Sequence, residues 1–231
     1  MDKRIKYHLV LDVETTALEL PLIYDIGYAV TDRQGRIYET RSFIIQEVFS
    51  NKELMAKSFF AKKIPQYYTD INSGIRKIVP FIEMRIDFLE LMRKYNIDTI
   101  AAYNLNFDKN ALSSTMKFLT GDNKFLTSEQ KEVKLLCIWS FACEVIYTQK
   151  KFKKKAEENQ WKSDKGNYKT SAEIGYRYLK GLDDSFEESH TGLEDVNIEI
   201  EIMVECYKKK KAHKSGIIPN PWRIPNQKEG K

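Results

Sequence analysis

Residues 5–13 read IKYHLVLDV, a β-branched and aliphatic run that ends on two carboxylates, Asp12 and Glu14. A stretch of that kind belongs in the interior of a sheet, and it fixes where the rest of the fold must gather. Side chains alternate across a strand, so Asp12 and Glu14 share one face. Two carboxylates so close repel each other, and apolar neighbours raise the cost of ionising both. A divalent cation resolves that conflict. Mg²⁺ accepts hard oxygen ligands, keeps several waters and needs only a few carboxylates. The plain alternative for an Asp-x-Glu pair is a solvated strand end.

The pattern after this strand alternates strands with helices. LIYDIGYAVTD and RIYETRSFII are separated by Asp32-Arg33-Gln34-Gly35, a turn signal that predicts a hairpin and hence a three-stranded antiparallel meander. Helices are expected over 51–63 and 71–95, the second from Ile78, Phe81, Ile82, Ile86, Leu89 and Met92 at three- and four-residue spacing, with Pro80 in its first turn or kinking it. A short buried strand at 98–104, a helix from 107, a strand near 133–139 and a helix after it follow, then a helix over Lys169–Lys180 closed by Gly181. In the last helix, Thr191 and Glu194 fit a capping box, while Ile198, Ile202 and Met203 supply the apolar face. The expected class is α/β: a mixed β-sheet with an antiparallel N-terminal meander, flanked by helices.

Two further groups of residues carry potential chemistry. Tyr103-Asn104-Leu105-Asn106-Phe107-Asp108 joins a buried strand to a helix and puts Asp108 near the helix start, where a simple capping aspartate would also stand. His190 precedes the last helix and Asp195 lies one turn inside it, so both can converge on one helix end; a surface histidine beside a cap is the ordinary reading. His8 is within the first strand and His213 within a lysine run.

Taken in order, Asp-x-Glu near the N-terminus, Asn-x-x-Phe-Asp near the middle and His-x4-Asp near the C-terminus resemble the DEDDh exonucleases of the DnaQ-like proofreading superfamily, which have a ribonuclease H-like fold. The resemblance runs from residue 5 to about 205. It includes DVETT followed by IYDIGYAV, and SHTGLEDV. Ala17 replaces the glycine that often follows the threonines, and Tyr103 stands where proofreading subunits often carry His.

The resemblance implies two-metal hydrolysis of a phosphodiester at a 3′ end, with Mg²⁺ as cofactor and Mn²⁺ able to substitute. By similarity, Asp12 bridges both ions, Glu14 and Asp195 help hold the first, Asp108 supports the second, and His190 is the general base. Thr15, Thr16 and Leu18 would line the 3′-terminal nucleotide, and Asn104 and Phe107 would shape the pocket wall. Single-stranded DNA is the expected substrate, in proofreading or end trimming. RNA is the rival within the class, and a catalytically idle nucleic-acid- or polymerase-binding module is the rival outside it.

Charge is unevenly spread. The net charge is +5, yet residues 148–170 hold eight Lys against three acids, and 207–231 hold eight basic residues against one Glu, leaving the remainder at −7. An acidic body with basic segments suits a carboxylate-lined site that must meet a polyanion. The expected layout is an exonuclease domain over 1–207, a lysine-rich insertion near 148–170 and a basic, Pro-containing tail over 208–231. Lys150–Lys155 with Phe152 and Trp161, and Lys208–Lys211, would contact the nucleic-acid backbone, with the aromatics stacking on bases. Phe59, Phe60, Tyr67 and Tyr68 are further stacking candidates, with core packing the alternative. The tail is also a candidate docking segment for a replicative polymerase. No apolar run reaches membrane-spanning length, the N-terminus lacks a signal-peptide pattern, and Cys137, Cys143 and Cys206 form no disulfide framework or zinc spacing, so a cytoplasmic protein is expected.

Overall fold

The computed structural model describes residues 4–58, 60–127, 133–210 and 216–227. Strands β1 (His8–Thr15), β2 (Ile23–Thr31) and β3 (Ile37–Ile45) form the expected antiparallel meander. The turn between β2 and β3 works as its sequence suggests. Asp32 Oδ1 accepts the backbone N–H of Gln34 and Arg36 at 2.9 and 3.1 Å, and Gly35 takes the left-handed φ of +82°. Three parallel additions, β4 (Lys77–Val79) beside β3, and β5 (Thr99–Ala102) then β6 (Lys134–Cys137) beside β1, complete a six-stranded mixed sheet in the order β4-β3-β2-β1-β5-β6.

Alternation along β1 feeds two cores. Leu9, Leu11 and Val13 pack in one cluster with α4 (Phe81–Tyr95) and α5 (Leu105–Thr120), through Phe88, Leu89, Leu105 and Leu112. Val10 belongs to the other, with Phe141 of α6 (Ile138–Val145) and Val196, Ile202 and Met203 of α9 (Gly192–Lys209). Asp12 and Glu14 continue the face of Val10, so the carboxylate pair looks toward α9.

The segment after β3 is more broken than periodicity suggests. It forms α1 (Gln46–Phe49), α2 (Lys52–Ala56) capped by the Asn51 side chain, a 3₁₀ turn at Ala61–Lys63 and α3 (Ile64–Asn72). The expected helix over 71–95 is interrupted: Ile78 lies in β4, and Pro80, with ψ of 145°, is the extended residue before α4. Its buried stripe is Phe81, Met84, Phe88, Leu91 and Met92, with Leu89, while Ile82 and Ile86 are 45% and 51% exposed. Two overlapping stripes fit the same 3.6-residue period, and the sheet selects the one carrying both phenylalanines.

The lysine-rich stretch also departs from expectation. Residues Lys150–Glu158 form α7, and Phe152 is fully buried against Tyr147, Tyr168 and Tyr178. Trp161 is 2% exposed, its indole N–H donating to Asp184 Oδ1 at 2.9 Å. Neither ring can stack on a base without unfolding this corner, which corrects the stacking role assigned to them. Lys150, Lys151 and Lys154 remain exposed. Next comes α8 (Ala172–Lys180), capped by Ser171 and closed by left-handed Gly181.

Helix α9 continues to Lys209, and Lys208 and Lys209 pair with Glu205 while Lys210 pairs with Glu144. Residues 216–227 pack back on the body. Gly216 N–H donates to Leu135 O at 2.9 Å, and Asn226 Oδ1 accepts Tyr168 N–H at 2.7 Å. Lys211 and His213 lie outside the described residues, as does Phe59. Among the described residues, no helix is long and apolar enough to cross a membrane. The three cysteines are buried thiols.

Candidate metal centre

The site is built where the N-terminus of α9 meets β1 and β2. Register places Asp12 opposite Gly27 and Glu14 opposite Asp25. A Cβ on Gly27 would fall 2.2 Å from the backbone nitrogen of Leu193, and one on Gly192 would fall 2.4 Å from that of Gly27. Two glycines therefore let the first turn of α9 lie directly on β2. That contact delivers Asp195 and the preceding His190 to the carboxylate pair. Asp108 arrives from the first turn of α5, where the backbone of Asp108 itself and of Val13 in β1 favours its charged form against burial.

Glu14, His190 and Asp195 each offer a ligand atom within 4.8 Å of the others. Asp12 is partly buried, and Glu14, Asp108 and Asp195 are buried. Burial pushes the Asp12 carboxyl well above its ordinary range, reinforced by Glu199, Asp108, Glu14 and Asp195. Glu14 is pushed up to about 9, chiefly by burial and then by Asp195, with Lys63 opposing. Asp108 and Asp195 are each raised to about 7, again mainly by burial. Carboxyls crowded in this way must either hold protons or gather cations. The donor set, hard oxygens with one imidazole, fits a divalent cation.

Local hydrogen bonding fixes the α9 end. Asp195 Oδ2 accepts the Thr191 N–H at 3.2 Å, and its Oδ1 accepts the Ser189 hydroxyl at 3.4 Å. Glu194 does not reach back as a capping box requires. Its Oε2 instead accepts the Thr191 hydroxyl and the Arg76 guanidinium, both at 2.8 Å. His190 has the left-handed φ of +48°, a conformation that costs a non-glycine residue about 1–2 kcal/mol, and its ring stacks on Phe60 with centroids 4.3 Å apart. Burial and then Lys63 lower its pKa, against Glu173 and Glu187.

The other sequence candidates divide. Leu18 is 73% exposed and Asn104 is exposed at the start of α5, while Phe107 is half-buried against the first core. Thr15 and Thr16 are buried, and the Thr16 hydroxyl is taken by Leu20 O at 3.1 Å, so it shapes the loop after β1. Tyr103 turns away into the second core, bonding Tyr147 Oη at 2.6 Å and Thr170 O at 2.7 Å. Tyr67 is buried on Asp25, Tyr68 is 53% exposed, and Phe60 is occupied by His190.

No protein-family profile and no curated protein sequence matches the chain. Solved structures do. E. coli exonuclease I in complex with a dT13 oligonucleotide superposes at a TM-score of 0.55 and 15% identity, over 96% of this chain and 42% of that one. The chain has the exonuclease I fold. A product-bound exonuclease I gives a TM-score of 0.57 at 15% identity, over 95% of this chain and 45% of that one. An inhibitor complex gives 0.59 at 14%, over 97% and 43%. The chain thus spans less than half the length of these relatives.

Within this exonuclease I fold, three features escaped the sequence reading. Glu199 is 2% exposed and its Oε2 has no partner, while burial and then Asp108 push its carboxyl well above the ordinary range, with Asp195 adding to the shift. An acid one turn beyond Asp195, inside a stripe of buried α9 positions, was the available signal. The second is a buried clamp. Asp25 Oδ2 accepts the Tyr67 hydroxyl at 2.9 Å, the Gly192 N–H at 3.0 Å and the Arg76 guanidinium at 3.4 Å. Arg76 also reaches Asp70, Ser42 and Glu194. The third is Lys63, which donates to Ser189 O beside His190.

Proposed function

We propose that this chain is a divalent-metal-dependent 3′–5′ exonuclease acting on single-stranded DNA. The observation that carries it is the gathering of Glu14, His190 and Asp195 within 4.8 Å, in a pocket that also raises Asp12 and Asp108. Support for DNA comes from the exonuclease I structures, which include complexes with single-stranded oligonucleotides.

In this reading Asp12, Glu14, Asp108 and Asp195 hold the cations. When bound, two Mg²⁺ ions, or Mn²⁺ in their place, stabilise charge on the attacking and leaving oxygens of an in-line displacement. His190 accepts the proton of the attacking water. Its neutral form is favoured by burial and by Lys63, which leaves a free lone pair at neutral pH. Leu18, exposed beyond the metal ligands, wedges against the terminal base, Thr15 and Thr16 line the 3′-terminal nucleotide with the loop they shape, and Asn104 and Phe107 shape the pocket wall. The exposed lysines of α7 and the 208–211 run meet the phosphate backbone beyond the scissile end. Polymerase docking through the basic C-terminal segment remains part of this proposal, tested separately by pull-down with and without residues 208–231.

Asp12→Ala and Asp195→Ala should abolish Mg²⁺-dependent shortening of a single strand while leaving the circular dichroism spectrum unchanged. Wild-type rates in either variant would refute the assignment. His190→Ala should lose about 10²–10⁴-fold in rate, and a loss below about tenfold would remove it from the base role.

A further inference from the structure

The arm between Phe60 and Arg76 lies against the α9 end of the site and is pinned there at several points. Phe60 stacks on His190, Tyr67 bonds Asp25, and Arg76 bonds Asp25 and Glu194 at the α9 end. Lys63 sits within this arm, at the junction of the 3₁₀ turn and α3. Its ammonium donates to the Ser189 carbonyl, one residue from His190. His190 in turn offers a ring nitrogen within 4.8 Å of carboxylate oxygens of Glu14 and Asp195, so the ammonium stands at the edge of the carboxylate cluster.

Lys63 differs from the protein's other site-proximal cations. Arg76 is fully engaged by Asp25, Asp70 and Glu194, and Arg177 by Glu173 and Asp184. Among the described residues, no carboxylate oxygen comes within 4.0 Å of the Lys63 ammonium. Its hydrogen-bond partner there is a neutral carbonyl. An ammonium has three donors, so two remain for a ligand. It is half-buried, which strengthens an ion contact, and the arm that carries it is anchored, which removes much of the cost of ordering a long side chain. A cation held beside a cluster of carboxylates, without being neutralised by one of them, is placed for an anionic ligand that enters that cluster.

We propose that Lys63 binds a non-bridging oxygen of the 3′-terminal phosphodiester, the linkage to be cleaved. This rests on the nuclease reading above and adds a phosphate contact to it. Lys63 steers the terminal phosphate past the carboxylates that would otherwise repel it, and it stabilises the added negative charge of the displacement transition state. The bond to Ser189 O keeps the ammonium beside His190, so the same contact sets the distance between the phosphate and the base.

The test measures binding of a 5′-fluorescent single strand in EDTA, with an ordinary or a neutral methylphosphonate 3′-terminal linkage. Wild type, Lys63→Met and Lys63→Arg are compared, and Mg²⁺-dependent cleavage of the ordinary strand is measured in parallel. Wild type should lose about tenfold in affinity on neutralising the linkage, and Lys63→Met less than about twofold. Lys63→Met should slow cleavage about 10–100-fold, with Lys63→Arg recovering most of it. A merely structural lysine would lower both strands' affinity alike and leave the sensitivity to the linkage intact, and that result overturns the proposal. If wild type cleaves the ordinary strand but Lys63→Met shows the full methylphosphonate penalty, only the Lys63 assignment fails. If wild type neither binds nor cleaves single strands, the nuclease reading fails and takes the assignment with it.

Discussion

Glu14→Gln offers a test of the charge-crowding argument that does not depend on catalysis. Glu14 is 8% exposed and its carboxyl is pushed from 4.5 to about 9, mainly by burial and by Asp195. Below pH 4.5 both folded and unfolded chains keep the proton, and the residue costs nothing. As pH rises from 4.5 toward 9 the unfolded chain releases the proton while the folded, metal-free protein retains it, so stability falls throughout that window. At pH 7 the cost reaches about 3 kcal/mol. Glutamine has no proton to release, so Glu14→Gln should recover about 1–3 kcal/mol of it, raising the melting temperature by about 3–10 °C in EDTA for a chain of this size. The assay is thermal melting by circular dichroism across pH 5–9, with EDTA or with Mg²⁺. Wild type should gain stability when Mg²⁺ is added, and the variant should gain much less, because the cation binds only the folded site. A variant that melts at or below wild type in EDTA at pH 8, or a wild type indifferent to Mg²⁺, would refute the reasoning.

Other perturbations follow from the same geometry. Arg76→Met strands the fully buried Asp25 carboxylate and should cost about 3–5 kcal/mol in urea unfolding, whereas an unchanged midpoint would contradict the clamp. Phe152→Ala should cost a comparable 3–5 kcal/mol while leaving the salt slope of nucleic-acid binding unchanged; a shallower slope at unchanged stability would return Phe152 to the binding surface. Glu39, held down to about 2 mainly by the Lys94 hydrogen bond and also by Tyr95 and Arg41, contributes stability above pH 4.5 that is lost as pH falls toward 2. Glu39→Gln should flatten acid unfolding in that window, and an identical acid profile would remove the pair from the account.

What the sequence displays and what it hides differ in range. The meander was legible because its signals are local: the alternation along β1, and an Asp-to-Gly turn whose hydrogen bonds close within five residues. Asp12, Glu14, Asp108, His190 and Asp195 stand in ordered motifs on elements whose type could be read, and the fold brings Glu14, His190 and Asp195 within 4.8 Å of one another. The failures are tertiary. Asp25 and Arg76 lie 51 positions apart, and nothing local marks either as a partner of α9. Glu194 looked like the acid of a capping box, but Arg76 holds it and Asp195 takes the N-cap amide. Phe152 looked like an aromatic among lysines on a surface, yet Tyr147, Tyr168 and Tyr178 converge on it from both sides in sequence. Ile82 and Ile86 fit the helical period as well as Met84 and Phe88 do, and only the sheet decides between the two stripes.

The central claim, that the carboxylate cluster is a metal-dependent exonuclease site, is tested most directly by a gel time course on 5′-labelled single-stranded DNA and RNA of matched sequence. Mg²⁺, Mn²⁺ and EDTA would be compared, with Asp12→Ala alongside. The account predicts a metal-dependent ladder that shortens from the 3′ end, fastest on DNA and absent in the variant; a faster ladder on RNA would keep the site and reassign its substrate. Intact strands under every condition, with salt-sensitive binding retained, would contradict the claim and leave a nucleic-acid-binding module in its place.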